Sequence, residues 1–327
     1  MTFPSGIFIG GTILKTMHLK FTILLLSIIA TSAISWAQDA EASLKEFEGK
    51  TLILRHPLQS DSQRYDADGK VLKGGSKEGS WAVFSGVLID HVTLTPEKLH
   101  IDGRRIFFLF PKQKLVLFEF TRRKDFDFKG PPFSPHINVE IILDKPVDSA
   151  EQAVATLGRV FALKTEDFIG SLPDFWREYL VDHHFSYDAI QKKEAEYRWR
   201  EEVENKSKPV QAAQPGLTKA TKNEGSNELV TYPIGPNSGV KAPKPKYTPE
   251  PAYSEIAQYE DYKGVVVVNV VVGTDGKIQR FRLIRPLGMG LDENAQSILQ
   301  TWRFQPATRN GQPVAVEMNI EIAFNLF

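Results

Sequence analysis

Toward the end of the chain Val314, Val316, Met318, Ile320, Ile322 and Phe324 alternate with Ala315, Glu317, Asn319, Glu321, Ala323 and Asn325. A period of two sends successive side chains to opposite faces, so this stretch predicts a strand with one face buried and the other in water. Upstream, Gly264 to Gly273 is an almost unbroken apolar run of strand length, and Thr274-Asp275-Gly276 supplies a tight turn into a second strand, Lys277 to Arg285. Leu291, Ala295, Ile298, Leu299 and Trp302 recur at helical spacing behind Asp292 and Glu293, which suit the positive end of a helix dipole. The predicted order is β-β-α-β, a small α+β unit over residues 247–327 with its helix packed on the sheet.

The first half reads differently. Thr51–Leu54, Trp81–Phe84, Val87–Leu94, Lys98–Ile101, Arg105–Phe110, Lys114–Phe120 and Ile137–Leu143 are rich in β-branched and aromatic residues, which predicts strands. Asp68-Gly69, Gly74-Gly75, Ser85-Gly86, Asp102-Gly103 and Pro131-Pro132 supply turn chemistry between strands of one antiparallel sheet curling on itself. Ser149 with Gln152, and Ser171 with Asp174, form capping patterns ahead of two short apolar helices. Together these predict a β-rich domain with C-terminal helices over 41–206, and an α+β chain as a whole.

The two units are separated by a change in composition. Tyr187 to Lys208 is highly charged and predicts a solvated helix, and Pro, Gly, Ser, Asn, Gln and Lys dominate from Pro209. So few apolar residues cannot repay the entropy of ordering, which makes 207–246 a linker, stiffened by the prolines of Lys241 to Pro251. At the other end Lys15, His18 and Lys20 precede the apolar run Phe21 to Ala30, and Ser35 and Ala37 flank Trp36. Residues 1–37 thus predict a secretory signal peptide cleaved after Ala37. The 18 residues from Leu19 to Trp36 also approach the length of a membrane span, so an inner-membrane, single-pass anchor is the alternative.

Charge and candidate chemistry narrow the function classes. The 327 residues hold forty basic and forty acidic side chains, so no global field draws the chain to nucleic acid. Absence of cysteine removes disulfides, thiolate metal sites and cysteine nucleophiles. Asp66-x-Asp68-Gly69 lacks the later ligands of a calcium loop and reads as a β-turn, and Asp182-His183-His184 lacks a spaced third ligand. There is no nucleophile with a base and an orienting group, and no phosphate-binding glycine loop. The reading is a non-enzymatic protein with no catalytic residue, metal, cofactor or small-molecule substrate.

Four linked motifs carry a family resemblance: Gly290-Leu291-Asp292, then Trp302-Arg303-Phe304-x-Pro306-Ala307, then Gly311-x-Pro313-Val314, then the closing alternating strand. In this order they resemble the C-terminal domain of TonB-type energy transducers, over roughly residues 240–327. Ser254 departs from the family pattern, in which proline commonly follows the tyrosine at Tyr253. The resemblance implies a periplasmic binding module that captures a segment of an outer-membrane TonB-dependent receptor as an added β-strand. In that role the chain couples to energy-dependent transmembrane transport, driven by an inner-membrane proton-driven motor complex. The alternative is a periplasmic adaptor or scaffold that reuses the domain without transmitting force.

An exposed sheet edge offers unpaired backbone groups, and the last strand is the candidate edge, with Glu317, Asn319, Glu321, Ala323 and Asn325 as its partner-facing residues. Arg303 is a further candidate contact, set against service to the carbonyls at the helix end. Trp302, Phe304 and Leu291 read as core.

Processing is directly testable. Terminal sequencing of the exported protein should read Gln38 as the first residue; an intact mass that retains Leu19 to Trp36 in the membrane fraction would establish the anchor instead.

Overall fold

A computed structural model describes residues 38–72, 77–110, 134–187, 231–235 and 237–325, and the backbone of 116–119. Residues 1–37, the charged segment after Tyr187, most of the linker, and the Gly74-Gly75 and Pro131-Pro132 turns lie outside the described residues. The chain is α+β throughout.

After a helical segment at 38–45, the N-terminal region runs β1 (Thr51–Leu54), β2 (Ser62–Asp66), α1 (Trp81–Phe84), β3 (Gly86–Leu94), β4 (Lys98–Leu109), β5 (Val116–Glu119) and β6 (His136–Ile142). It continues through α2 (Ala150–Val160), β7 (Phe161–Ala162), α3 (Thr165–Ser171) and α4 (Asp174–Asp182). The strands form one sheet in the order β2-β6-β4-β3-β1-β7, with β5 pairing to β4.

Three local expectations are corrected. Pairing is not antiparallel throughout, because β2 runs parallel to β6. Strands are bound to alternate in direction only where a tight turn joins them, and β2 and β6 are far apart in sequence. Trp81–Phe84 is a helix, with Trp81, Ala82 and Val83 all buried; a four-residue apolar run carries no period that separates the two states. Asp102-Gly103 is not a turn but the middle of β4, where a Cβ on Gly103 would lie 2.6 Å from the Leu88 carbonyl oxygen. The glycine serves close strand approach rather than reversal.

Of the two capping patterns, the first forms: Ser149 Oγ accepts from the Gln152 N–H at 3.2 Å. Ser171 instead ends α3 and bonds the Phe168 carbonyl, and Pro173 stands at the entry of α4. The Asp66-to-Gly69 segment is a β-turn, with Asp66 Oδ1 accepting from Asp68 and Lys70 and Gly69 at φ +84°.

The C-terminal region contains β8 (Val240–Lys241), β9 (Lys244–Tyr247), α5 (Glu255–Tyr259), β10 (Gly264–Val272), β11 (Ile278–Arg285), α6 (Leu291–Leu299), β12 (Arg303–Gln305), β13 (Ala307–Arg309), β14 (Gln312–Val314) and β15 (Val316–Phe324). Its main sheet has the order β11-β10-β15, with short pairs β9–β12 and β8–β13–β14 beside it. The predicted β-β-α-β run is present as β10, β11, α6 and β15, with α5 added in front. Leu291, Ala295 and Leu299 are buried as their spacing requires. The helix ends at Leu299, so Trp302 lies beyond it, half-buried, donating its indole N–H to the Pro249 carbonyl at 3.0 Å.

The two regions are in contact, and their buried side chains form one continuous apolar cluster. The connection between β11 and α6 makes the join. Gly288, Met289 and Gly290 occupy the left-handed region in succession, at φ +85°, +50° and +77°. Such a run is costly for Met289 and persists only where its surroundings hold it. Here the Met289 N–H donates to the Phe108 carbonyl and the Phe110 N–H to the Leu287 carbonyl, both at 3.2 Å, so the connection pairs with the end of β4. A Cβ on Gly288 would stand 2.1 Å from the Phe108 oxygen, and the Met289 side chain is 0 % exposed.

This join predicts that cutting the backbone between 188 and 230 leaves the pieces associated. With a protease site placed there, the two fragments should co-elute in gel filtration. Met289→Asp, which puts a charge into an apolar contact at a cost of several kcal/mol, should separate them. Separation of the wild-type fragments would show that the join is too weak to hold without the connecting chain.

Candidate functional site

A sheet of three strands has two edges, and each leaves a row of backbone groups without partners unless something covers it. At β11 the cover is α4. Phe281 pairs with Val270 and so shares the face buried beneath α6, whereas Arg282 pairs with Asn269 and shares the solvent face. Both touch α4: Phe175 meets Phe281 edge to face at 5.7 Å, and Asp182 bonds Arg282 at 2.5 Å. A helix that reaches side chains of both faces lies across the strand's edge. Asp182, set aside above as a metal ligand, acts here as an anchor, and His183 beside it bonds the Tyr179 carbonyl.

Two acidic residues at the start of α6 support this arrangement. Asp292, fully buried, accepts from the backbone N–H groups of Leu287 (3.0 Å) and Gly288 (2.6 Å), which shapes the connection that meets β4. Glu293 Oε1 accepts from the Trp176 indole of α4 at 3.1 Å and from the Ala82 N–H at the start of α1 at 3.4 Å. Its Oε2 is buried with no hydrogen-bond partner among the described residues. Burial raises the pKa of both carboxyls, and the Glu293 charge raises Asp292 further. Periodicity assigns both residues to a helix dipole, and no feature of the local sequence marks them as buried against a distant segment.

Ser254, the departure from the family pattern, is also accounted for. Its Oγ accepts from the Ala257 N–H at 3.1 Å, capping α5, and donates to the Met289 carbonyl. A proline there could do neither.

At the other edge lies β15, paired with β10 without a bulge from Val316 to Phe324. Which of its backbone groups face outward follows from two observations. The Ala315 carbonyl accepts from Tyr232, on the side away from β10, and N–H and C=O groups of alternate residues point the same way. Asn269 Nδ2 also donates to Asn319 Oδ1 at 3.0 Å, as expected where an opposed pair is not backbone-bonded and its side chains lie close. The groups of Glu317, Asn319, Glu321 and Ala323 therefore face the edge. Tyr232 bridges to Val316 and closes the first position, leaving Asn319, Glu321 and Ala323 without backbone partners on that side among the described residues.

Five of the candidate contacts, Glu317, Asn319, Glu321, Ala323 and Asn325, thus lie in a row, all exposed, along or just past β15. Arg303 is not among them. It sits in β12, where its guanidinium donates to the Gln300 and Trp302 carbonyls at 2.9 and 2.7 Å, the helix-end role weighed above. Among the described residues no group of His, Asp or Glu is placed to hold a metal.

Residues 249–326 match the family described as the Gram-negative bacterial TonB protein C-terminal. The solution NMR structure of the Pseudomonas aeruginosa TonB C-terminal domain is similar at 23 % identity, covering 28 % of this chain and 90 % of that one, with a TM-score of 0.23. No curated protein matches the chain. The class defined by fold and motif is a small α+β domain whose last strand, among the described residues, is open beyond Glu317. That domain is a TonB C-terminal domain, carried by the last quarter of the chain, and the residues before it fall outside the match.

Because Asp292 and Glu293 have pKa values above those of unfolded carboxyls, their stabilising contribution is complete below the unfolded pKa and is lost as pH rises through the raised values. Glu140 has the opposite sign, since hydrogen bonding to Lys98 holds its pKa down, so the test must be a difference. Glu293→Gln keeps an acceptor for Trp176 but cannot ionise. Its melting temperature relative to wild type should rise between about pH 4 and pH 7. A constant difference across that range would mean that Glu293 does not titrate there. Glu293→Ala should cost about 1–3 kcal/mol by stranding the Trp176 and Ala82 donors.

Proposed function

We propose that the protein is a periplasmic TonB-like component that binds a segment of an outer-membrane TonB-dependent receptor by β-strand addition along β15. The observation that carries this reading is the asymmetry of the three-stranded sheet, with α4 across β11 and the outward groups of Asn319, Glu321 and Ala323 on β15 open among the described residues. An extended segment laid there would gain main-chain hydrogen bonds on one side and the solvated face of β15 on the other.

On this reading the chain has an exported β-rich domain at 41–206, a linker that begins at 207, and a receptor-binding domain at 247–327 to which the last residues of the expected 207–246 linker are joined, since Tyr232, β8 and β9 pair with β15, β13 and β12. The mature protein transmits force to the receptor only if its other end is fixed in the inner membrane, directly or through a motor complex. Among the described residues no helix is long and apolar enough to cross a membrane. A processed, freely soluble mature protein that still binds receptor would therefore act as an adaptor or scaffold.

Proline distinguishes the edge from the ladder. Asn319→Pro and Glu321→Pro remove outward donors, so each variant should keep its circular dichroism spectrum and lose site-specific crosslinking to an outer-membrane receptor. Ile320→Pro removes a donor facing β10 and should instead unfold the domain. Undiminished crosslinking in folded variants at both 319 and 321 would exclude β15 as the docking edge.

A further inference from the structure

The ribbon beside the main sheet has a charge pattern that the chain as a whole lacks. One side of it, 240–247, holds β8 and β9, and the other, 303–309, holds β12 and β13, paired antiparallel. Forty basic and forty acidic side chains balance over the chain, yet 240–249 and 302–316 hold Lys241, Lys244, Lys246, Arg303 and Arg309 and no acid. All five cations are exposed, and none enters an ion pair among the described residues. Asp275, in the adjoining turn where the Gly276 carbonyl accepts from Phe304, is held by Lys277 at 3.9 Å. Phe304 and Ala307 are buried, which fixes the ribbon to the domain and turns their neighbours outward. Arg303 with its partner Tyr247, Gln305 with Lys244, and Thr308 with Lys241 therefore share an outer face about 20 Å long. Lys246 is the extra residue of the bulge between the first two pairs.

The kind of anion follows from how these cations are held. Arg303 donates to the Gln300 and Trp302 carbonyls, and Arg309 lies over the Tyr232 ring at 5.0 Å, so both guanidiniums are engaged within the domain. A guanidinium fork is the group that grips a carboxylate at two points. What remains are three lysine ammoniums, point charges on flexible stems with no fixed geometry. Such a row suits a surface whose anions move to meet it better than an acidic peptide that needs a fork. Pro243, Pro245 and Pro249 keep the row extended. Tyr247, at 58 % the most exposed large apolar side chain among the described residues, has the apolar body and polar tip that suit the headgroup level of a bilayer. We propose that the ribbon rests on a bilayer surface containing anionic phospholipid, with Lys241, Lys244 and Lys246 at the level of the phosphates and Tyr247 among the headgroups. This contact is independent of strand addition at β15.

The protein as exported would be sedimented with vesicles of phosphatidylcholine and with vesicles in which about a third of the lipid is phosphatidylglycerol. The readout is the ratio of the two affinities, which insertion of an apolar segment by itself leaves near one. Wild type should favour the anionic vesicles by about 10- to 100-fold, and the ratio should shrink between about 0.05 and 0.5 M salt, because exposed charges are screened. A lysine near an anionic surface is worth about 5-fold, so the Lys241→Gln, Lys244→Gln, Lys246→Gln triple variant, with its circular dichroism unchanged, should bring the ratio close to one. The single variants, each expected at about 5-fold, carry the test if the triple variant does not fold. Equal binding of both vesicles by wild type, or an undiminished ratio in the folded variants, overturns the proposal. So does lysine-dependent binding of a glutamate-rich peptide without any preference between the vesicles, which would make the ribbon a contact for protein instead.

Discussion

A β-sheet cannot end without leaving backbone groups that want partners, and the C-terminal sheet of this protein is organised around that constraint. With only three strands, two of them are edges, so most of the sheet's unpaired hydrogen-bonding capacity lies on its margins. One margin is covered from within the chain. Phe175 and Asp182 of α4 reach Phe281 and Arg282 on opposite faces of β11, and a helix so placed denies that edge to any other strand. Among the described residues the other margin, β15, has a partner only at its start, where Tyr232 takes the Ala315 carbonyl.

Covering β11 depends on the fit between the two regions of the chain. Its centre is the connection from Leu287 to Glu293, where three successive left-handed residues let the backbone pass close beneath Phe108. Side chains that sequence would assign to solvent hold this shape: Asp292 ties down two backbone donors, Ser254 bonds Met289, and Glu293 reaches Trp176 and Ala82. The cost is two neighbouring carboxyls withdrawn from water, which raises their proton affinity. A single acidic side chain thereby connects α6, α1 and α4, and the orientation of the C-terminal sheet relative to the N-terminal region rests on it.

The N-terminal region has so far a clear structural part: it supplies α4, the end of β4 and α1 to the shared apolar cluster. Trp81, stacked on Phe108 at 4.5 Å and tilted against Trp176 at 5.3 Å, links the strand that meets Met289 to the helix that covers β11. An aromatic cluster of this kind combines large buried area with defined geometry, which suits a surface that must hold another part of the chain at a fixed angle.

The amino-acid sequence by itself determined whatever depends on neighbours within one element. Alternation from Val314 to Asn325 was enough to place β15 and its two faces, the Thr274-Asp275-Gly276 turn was enough to join β10 to β11, and helical spacing was enough to bury Leu291, Ala295 and Leu299. Those patterns are local because pleat, turn and helix repeat over a few residues. Where local pattern was silent or ambiguous, the sequence misled: Trp81–Phe84 is too short to show a period, and Gly103 marks a close crossing of strands as readily as a turn. Tertiary structure alone decided that β2 lies parallel to β6, that Asp182 pairs with Arg282, that Asp292 is buried and the Glu293 carboxyl enclosed against Trp176 and Ala82, and that among the described residues β11 is covered by α4 and β15 only at its start. Each of these joins residues separated by tens to hundreds of positions, and their contact is set by how whole elements pack, which no periodicity along the chain encodes.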